Sequence, residues 1–399
     1  MIKRDITTSI HKLKTQFPVL AVTGPRQSGK TTLLRKMFPD YAYYNLENPE
    51  TLAKVEHDTA TFIRENQNRV IIDEVQRVPK LLSYIQVTVD ETKQLGSFII
   101  SGSANLLLSE KIDQSLAGRA AYITLYPLSN QELKAEKLLK PTMYDQIFTG
   151  SYPFLYSHDT ETVGYYNQYI ATYAERDLKN ISNIINLSQF RKFFALLAGR
   201  VGQLVNLTTL ANDTGVSVTT IENWISILEA SYLVFRLQPH FKNFGKRYIK
   251  SPKIYFTDTG LACRLLGIQS SEQLKTHYLL GGLFENMMIM EVTKYFSNYG
   301  LPGKLFFFRD SNGREIDLVI DQGLTQVPIE IKSSGTFNPD FYSGLKYWRS
   351  LTESSLETTT KHGFVMYAGE QTSSGDENSL LTWNNLDPLF ALITKTNNV

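Results

Sequence analysis

The chain has 399 residues, 42% hydrophobic and 20% charged, ordinary globular material whose length suits two or three domains. Its 41 basic and 39 acidic residues leave a net charge of +2, which excludes a general electrostatic pull on nucleic acid; any such affinity must come from local patches. The single cysteine, Cys263, rules out an internal disulfide and a cysteine-based metal cluster, and fits a reducing, cytoplasmic setting.

In residues 1–16, Ile6, Ile10 and Leu13 are spaced for one face of a short helix, with Lys3, Arg4, Lys12 and Lys14 around them; a signal peptide's continuous apolar core is missing. No run of about 18 apolar residues occurs anywhere, so no membrane span is expected. Short apolar runs at 19–23, 41–46, 70–72, 98–100 and 122–125 then alternate with helix-like segments. That rhythm predicts a parallel sheet covered by helices, assigned to residues 1–139. Residues 140–269 read as mainly helical, as at 165–181 and 190–199. Residues 270–399 read as a small α/β domain: a helix near 282–299, strands at 305–308, 315–320, 327–331 and 363–367, a surface loop at 369–379 and a last short helix.

Directly after the first strand comes Gly24-Pro25-Arg26-Gln27-Ser28-Gly29-Lys30-Thr31-Thr32, two glycines followed by Lys and Thr at the spacing of a phosphate-binding loop. The glycines let successive N–H groups curl inward, and the helix that follows adds its positive N-terminal end. In this reading Gly24 to Thr32 bind ATP, Lys30 meets the β- and γ-phosphates, and the Thr31 hydroxyl reaches Mg²⁺. A plain glycine turn is the bland alternative; the flanking strand and helix weigh against it.

The run Val70-Ile71-Ile72-Asp73-Glu74 is an apolar strand ending in two carboxylates, where an open α/β sheet faces its ligand. Asp73 is expected to serve the metal and Glu74 to orient or deprotonate a water, so the pair implies hydrolysis. A third strand ends in Ser101-Gly102-Ser103, with Ser103 as the expected polar sensor of the γ-phosphate. Arg119 reads either as a contact to the γ-phosphate of its own or a neighbouring subunit, or as an ordinary surface arginine.

Residues 17–32, with Ile71-Ile72-Asp73-Glu74-Val75-Gln76, Ser101-Gly102-Ser103 and Leu116-Ala117-Gly118-Arg119, resemble an AAA-type P-loop ATPase family of bacteria and archaea. The resemblance continues through Tyr173-Ala174-Glu175-Arg176-Asp177-Leu178, Tyr255-Phe256-Thr257-Asp258-Thr259-Gly260-Leu261 and Gly281-Gly282-Leu283-Phe284-Glu285-Asn286. It implies an ATP-binding AAA-like module followed by a C-terminal domain, and makes a homo-oligomer plausible.

In the middle region, residues 207–228 read as helix, glycine turn at Gly215, and a second helix capped by Ser217, a helix-turn-helix pattern. Val218, Ile221, Ile225 and Leu228 are expected inward, and Thr219, Thr220, Asn223 and Ser226 outward. Downstream, Lys242, Lys246, Arg247, Lys250 and Lys253 interleave with Phe241, Phe244 and Tyr248, a candidate basic wing for DNA or other nucleic acid. Glu222 counts against tight binding, and a winged-helix-like unit that only couples domains is the competing reading.

In the last region, Glu315-Ile316-Asp317 and Pro328-Ile329-Glu330-Ile331-Lys332 lie on strand-like runs, and period-two geometry puts Glu330 and Lys332 on one face. Asp317 and Glu330 are candidate metal ligands and Lys332 a charge-stabilising partner, an arrangement similar to the PD-(D/E)XK nuclease superfamily. Glu285, at the start of the apolar stripe formed by Met288, Ile289, Val292 and Phe296, is a fourth candidate because an unpaired charge there is costly. A Glu-x-Lys tripeptide alone is expected roughly once by chance in a chain of this length. The combined expectation is a Mg²⁺-dependent ATPase coupled to nucleic-acid binding or processing; the alternative is an ATP-driven switch whose last domain binds a protein and cuts nothing.

Overall fold

The structure is a computed structural model that describes residues 2–103, 116–174, 186–240, 251–323, 325–352 and 362–396. The first unit is a five-stranded, all-parallel sheet built from β1 (Val19–Thr23), β2 (Ala42–Asn45), β3 (Val70–Asp73), β4 (Phe98–Gly102) and β5 (Ala120–Thr124), in the order β2-β3-β4-β1-β5. Its central strands are apolar on both faces because helices cover both. Val19, Ala21, Ile72 and Ile100 pack on one side. Leu20, Val22, Ile71 and Ile99 pack on the other, beneath Ile6 and Ile10 and against Leu33 and Leu34 of the helix Lys30–Met37. Parallel pairing brings the C-terminal ends Thr23, Asp73 and Gly102 to one edge.

The remaining strands form a second, mixed sheet: β6 (Val234–Pro239), β7 (Lys253–Phe256), β8 (Lys304–Arg309), β9 (Glu315–Asp321), β10 (Gln326–Lys332), β11 (Gly363–Tyr367), β12 (Ser373–Ser374) and β13 (Asn378–Thr382), ordered β12-β13-β11-β10-β9-β8-β6-β7. The antiparallel pair β6–β7 joins through parallel pairing of β6 with β8. One core accordingly runs from Phe193 and Leu228 through Phe256 and Met288 to Ile329 and Ile393. Its axis is the 20-residue helix Leu280–Tyr299, buried along most of its length.

Several expectations shift. The expected surface loop at 369–379 instead contains β12 and the start of β13, and β13 sits inside the sheet beside β11. The helix expected at 165–181 is the helix Thr162–Tyr169 followed by a π-helical turn, Ile170–Ala174; residues 175–181 of that expectation lie outside the described residues. Helices Leu207–Thr214 and Val218–Ala230 flank Gly215 at φ 80°, and Ser217 accepts the Thr220 N–H at 3.1 Å. Val218 does not pack inward: it is 42% exposed, and Trp224 takes the inner position against Phe190 and Phe193. The basic run 241–250, including Lys242, Lys246, Arg247 and Lys250, lies outside the described residues. Among the described residues no helix is long and apolar enough to cross a membrane.

Candidate functional site

The loop between β1 and the helix Lys30–Met37 is shaped by backbone that only certain residues tolerate. Gly24 has φ 140°, and a Cβ there would lie 2.3 Å from the Leu125 carbonyl oxygen, so this turn needs glycine. Gln27 (φ 61°) and Gly29 (φ 95°) are left-handed and direct the loop into the helix. Beneath it the buried Arg4 donates from Nη1 to the Ser28 carbonyl at 2.9 Å, from Nη2 to the Tyr126 carbonyl at 2.6 Å and from Nε to Glu132 Oε1 at 3.0 Å. Arg4 props the loop from below, a role its sequence position gave no sign of.

Lys30 is buried, and its ammonium donates to the carbonyls of Gly24 (2.8 Å) and Pro25 (2.9 Å). Burial pulls its pKa down to about 8, while the charges of Glu74 and Asp73 oppose that fall. A polyphosphate beside it would add negative charge and hold the ammonium protonated.

Asp73 ends β3 and gathers the groups that a hard cation and its phosphates need. Thr31 Oγ1 donates to Asp73 Oδ2 at 2.6 Å, Tyr43 OH to the same oxygen at 2.9 Å, and Ser101 Oγ to Oδ1 at 2.5 Å. Ser101 reaches it because β4 lies between β3 and β1, registering Asp73 with Ser101 and Ser101 with Val22. The Thr31 hydroxyl and Asp73 carboxylate form an all-oxygen donor set, which fits Mg²⁺.

Glu74 is left-handed at φ 59° and ψ 44°, a conformation that costs a non-glycine residue about 1–3 kcal/mol and concentrates at working sites. Its carboxylate accepts from Ser103 Oγ at 3.0 Å and from Gln76 Nε2. Ser103, the expected phosphate sensor, is thus tied to the expected base. The loop, Glu47 and Glu74 line a cavity of about 400 Å³ whose other wall comes from Pro153, Phe154, Ser157 and His158.

Arg119 is elsewhere. It precedes β5 at the N-terminal edge of the sheet, where its carbonyl accepts the Val19 N–H, and its guanidinium forks onto Asp90 at 2.5 and 2.7 Å. The length of β1 thus separates Arg119 from the loop, and the structure does not bring it together with Lys30 and Glu74.

The second cluster stands on the other sheet. Antiparallel pairing of β9 with β10 brings Asp317 to Lys332 (3.6 Å), and Lys332 Nζ also bonds Glu330 Oε2 at 2.5 Å. Asp317 Oδ2 accepts the Ile331 N–H at 2.7 Å. Glu285 reaches the group from the long helix. It is not unpaired: Lys253 Nζ donates to it at 2.8 Å and Tyr255 OH donates to it as well. Lys253 also bonds Glu315, and it is buried on β7 rather than part of an exposed basic wing.

Oxygens of Glu285, Glu315 and Asp317 lie within 4.8 Å of one another, whereas Glu330 stands beside this trio. Burial raises the pKa of Glu285 to about 7 and, with Asp317 adding to it, that of Glu330 to about 8. Sequence reasoning missed Glu315, although its position two residues before Asp317 on a strand announces a shared face. It also missed Lys253 in this role and Tyr255, which long-range pairing delivers.

Residues 16–134 match the family described as "AAA domain"; residues 140–272 and 280–386 match two families described as domains of unknown function, DUF8612 and DUF4143. Uncharacterized proteins of Mycobacterium bovis and Mycobacterium tuberculosis are each 29% identical over 404 residues, covering 98% of this chain and 87% of theirs. An uncharacterized protein of Methanocaldococcus jannaschii is 22% identical, covering 84% of this chain and 79% of its own. Among solved structures, a Walker-type ATPase of Pyrococcus abyssi is 13% identical with a TM-score of 0.43 over 66% of this chain and 96% of that one. The likeness is too loose to bear on function. The match over residues 16–134, with the loop and carboxylates described above, supports an AAA-type ATPase module that binds ATP.

Proposed function

We propose that this chain is a Mg²⁺-dependent ATPase whose nucleotide state controls nucleic-acid engagement at the carboxylate–lysine cluster of the second sheet. The observation that carries the first half is the meeting of Lys30, Thr31 and Glu74 around one cavity, with Asp73 hydrogen-bonded to Thr31 just behind it. In this reading Lys30 and the loop N–H groups hold the β- and γ-phosphates, Thr31 and Asp73 hold the metal, and Glu74 takes a proton from the attacking water at a carboxylate oxygen. Mg²⁺, when bound, neutralises phosphate charge.

The coupling half rests on the helix Leu280–Tyr299. Near its start Glu285 belongs to the second cluster; near its end Ser297 Oγ donates at 2.5 Å to the carbonyl of Thr124, whose side chain is 3.4 Å from that of Thr23 at the end of β1. In between, Lys294 Nζ bonds Glu291 and the Leu128 carbonyl, each at 2.8 Å, and Glu291 accepts the Asn130 N–H at 2.6 Å. At a rise of about 1.5 Å per residue, roughly 18 Å of helix runs from the second cluster to the strand ends that lead into the loop.

Asp317, Glu330, Lys332 and Glu285 support a nuclease-like reading. Purified protein is incubated with single- and double-stranded DNA and RNA plus Mg²⁺ or Mn²⁺, beside Asp317→Asn and Lys332→Ala. Cleavage by wild type alone supports the reading; intact substrates in every lane, with and without ATP, remove it. A second reading, an ATP-driven switch that binds a protein and cuts nothing, is favoured by Lys253, whose ammonium already occupies oxygens of both Glu285 and Glu315. A partner retained by wild type with ATP and lost by Lys30→Ala supports that alternative.

A further inference from the structure

The wall of the nucleotide cavity opposite the loop is aromatic. It is formed by the short helix Phe154–Ser157, outside the parallel sheet, and includes Pro153, Phe154 and His158. Phe154 is 40% exposed, and it lines the cavity facing Lys30 and Glu74. It stacks on His158 with centroids 4.1 Å apart and planes 18° apart, and lies near-parallel to Tyr165 at 5.7 Å and 16°. Tyr165 OH donates at 2.6 Å to Oε1 of Gln27 in the loop, so the aromatic group is tied directly to the phosphate site.

A polyphosphate tail needs only N–H groups, a lysine and a cation; aromatic rings have nothing to offer it. An aromatic base gains from a preformed stack, because every base presents a π-face. We propose that Phe154 and His158 form the stacking platform for the base of the bound nucleotide, so that this wall selects nucleoside triphosphates over bare polyphosphates. The proposal rests on the reading of Gly24 to Thr32 as a phosphate loop, and it makes the base the element that ties residues 153–158 to that loop.

The test compares ATP with inorganic tripolyphosphate, both with Mg²⁺, on full-length wild type, Phe154→Ala and Phe154→Trp by titration calorimetry. Wild type is expected to prefer ATP, and Phe154→Ala to lose roughly ten-fold in ATP affinity with tripolyphosphate affinity unchanged. Phe154→Trp is expected to keep the preference, and ATP but not tripolyphosphate should change its indole fluorescence. If Phe154→Ala keeps the wild-type ratio of the two affinities, the platform is overturned while the loop reading stands. If wild type takes up neither ligand, the loop reading has failed and the platform falls with it.

Discussion

The Thr31 hydroxyl donates to Asp73 Oδ2 at 2.6 Å, joining the end of the glycine loop to the tip of β3 across 42 positions of sequence. Three hydroxyls converge on this carboxylate, from Thr31, Tyr43 and Ser101, and an amide has one acceptor oxygen where the acid has two. Asp73→Asn is therefore expected to weaken Mg²⁺-supported ATP binding by roughly ten-fold or more, while binding measured with EDTA changes little. Titration with and without Mg²⁺ checks this; equal losses in both conditions would take Asp73 away from the cation.

Glu74→Gln keeps the shape of the side chain and removes its basicity. ATP should remain bound while turnover falls by about 10²-fold or more, the usual cost of losing a general base. Phosphate release under single-turnover conditions is the readout, and an unchanged rate removes Glu74 from that role.

Lys253 ion-pairs with two carboxylates at once. Lys253→Ala leaves Glu285 and Glu315 facing each other in a half-buried setting, with Arg309 still beside Glu315, and should destabilise the fold by about 3 kcal/mol, whereas Lys253→Met combined with Glu285→Gln should recover part of that loss. Urea unfolding of wild type and the two variants decides it. Equal stability of Lys253→Ala and wild type would mean the ion pair contributes nothing.

Glu330 gives a pH signature. Its pKa is raised in the folded chain to about 8, chiefly by burial, from an ordinary value of 4.5. The folded state then binds the extra proton, so its contribution to stability is complete below the ordinary value of 4.5 and is lost as pH rises toward about 8. Glu330→Gln should flatten the fall in melting temperature over that window and should be the more stable protein at pH 8. Parallel melting curves for the two proteins between pH 5 and pH 8 would contradict this.

What the chain disclosed on reading follows from how local each signal is. The loop from Gly24 to Thr32 and the apolar strands before Asp73 and Ser101 are contiguous patterns with a single physical meaning, and they emerge at the expected edge of the sheet. β13 hid because Asn378 and Ser379 look like loop residues, and only pairing with β11 gives them strand geometry. Lys253 looked like one more cation in a basic run; the β6–β8 contact carries its strand into the second sheet, beside Glu285. Arg119 precedes β5, and only the parallel pairing of β5 with β1 shows that this end lies away from the loop.

The most direct test of the whole account is calorimetric titration of ATP with Mg²⁺ into the full-length protein and into Lys30→Ala. One mole of ATP should bind per mole of wild-type chain, and loss of the charged hydrogen bonds at Lys30 should weaken binding by roughly 10- to 100-fold. Heat-silent wild-type protein, or equal affinity in the two proteins, would contradict it.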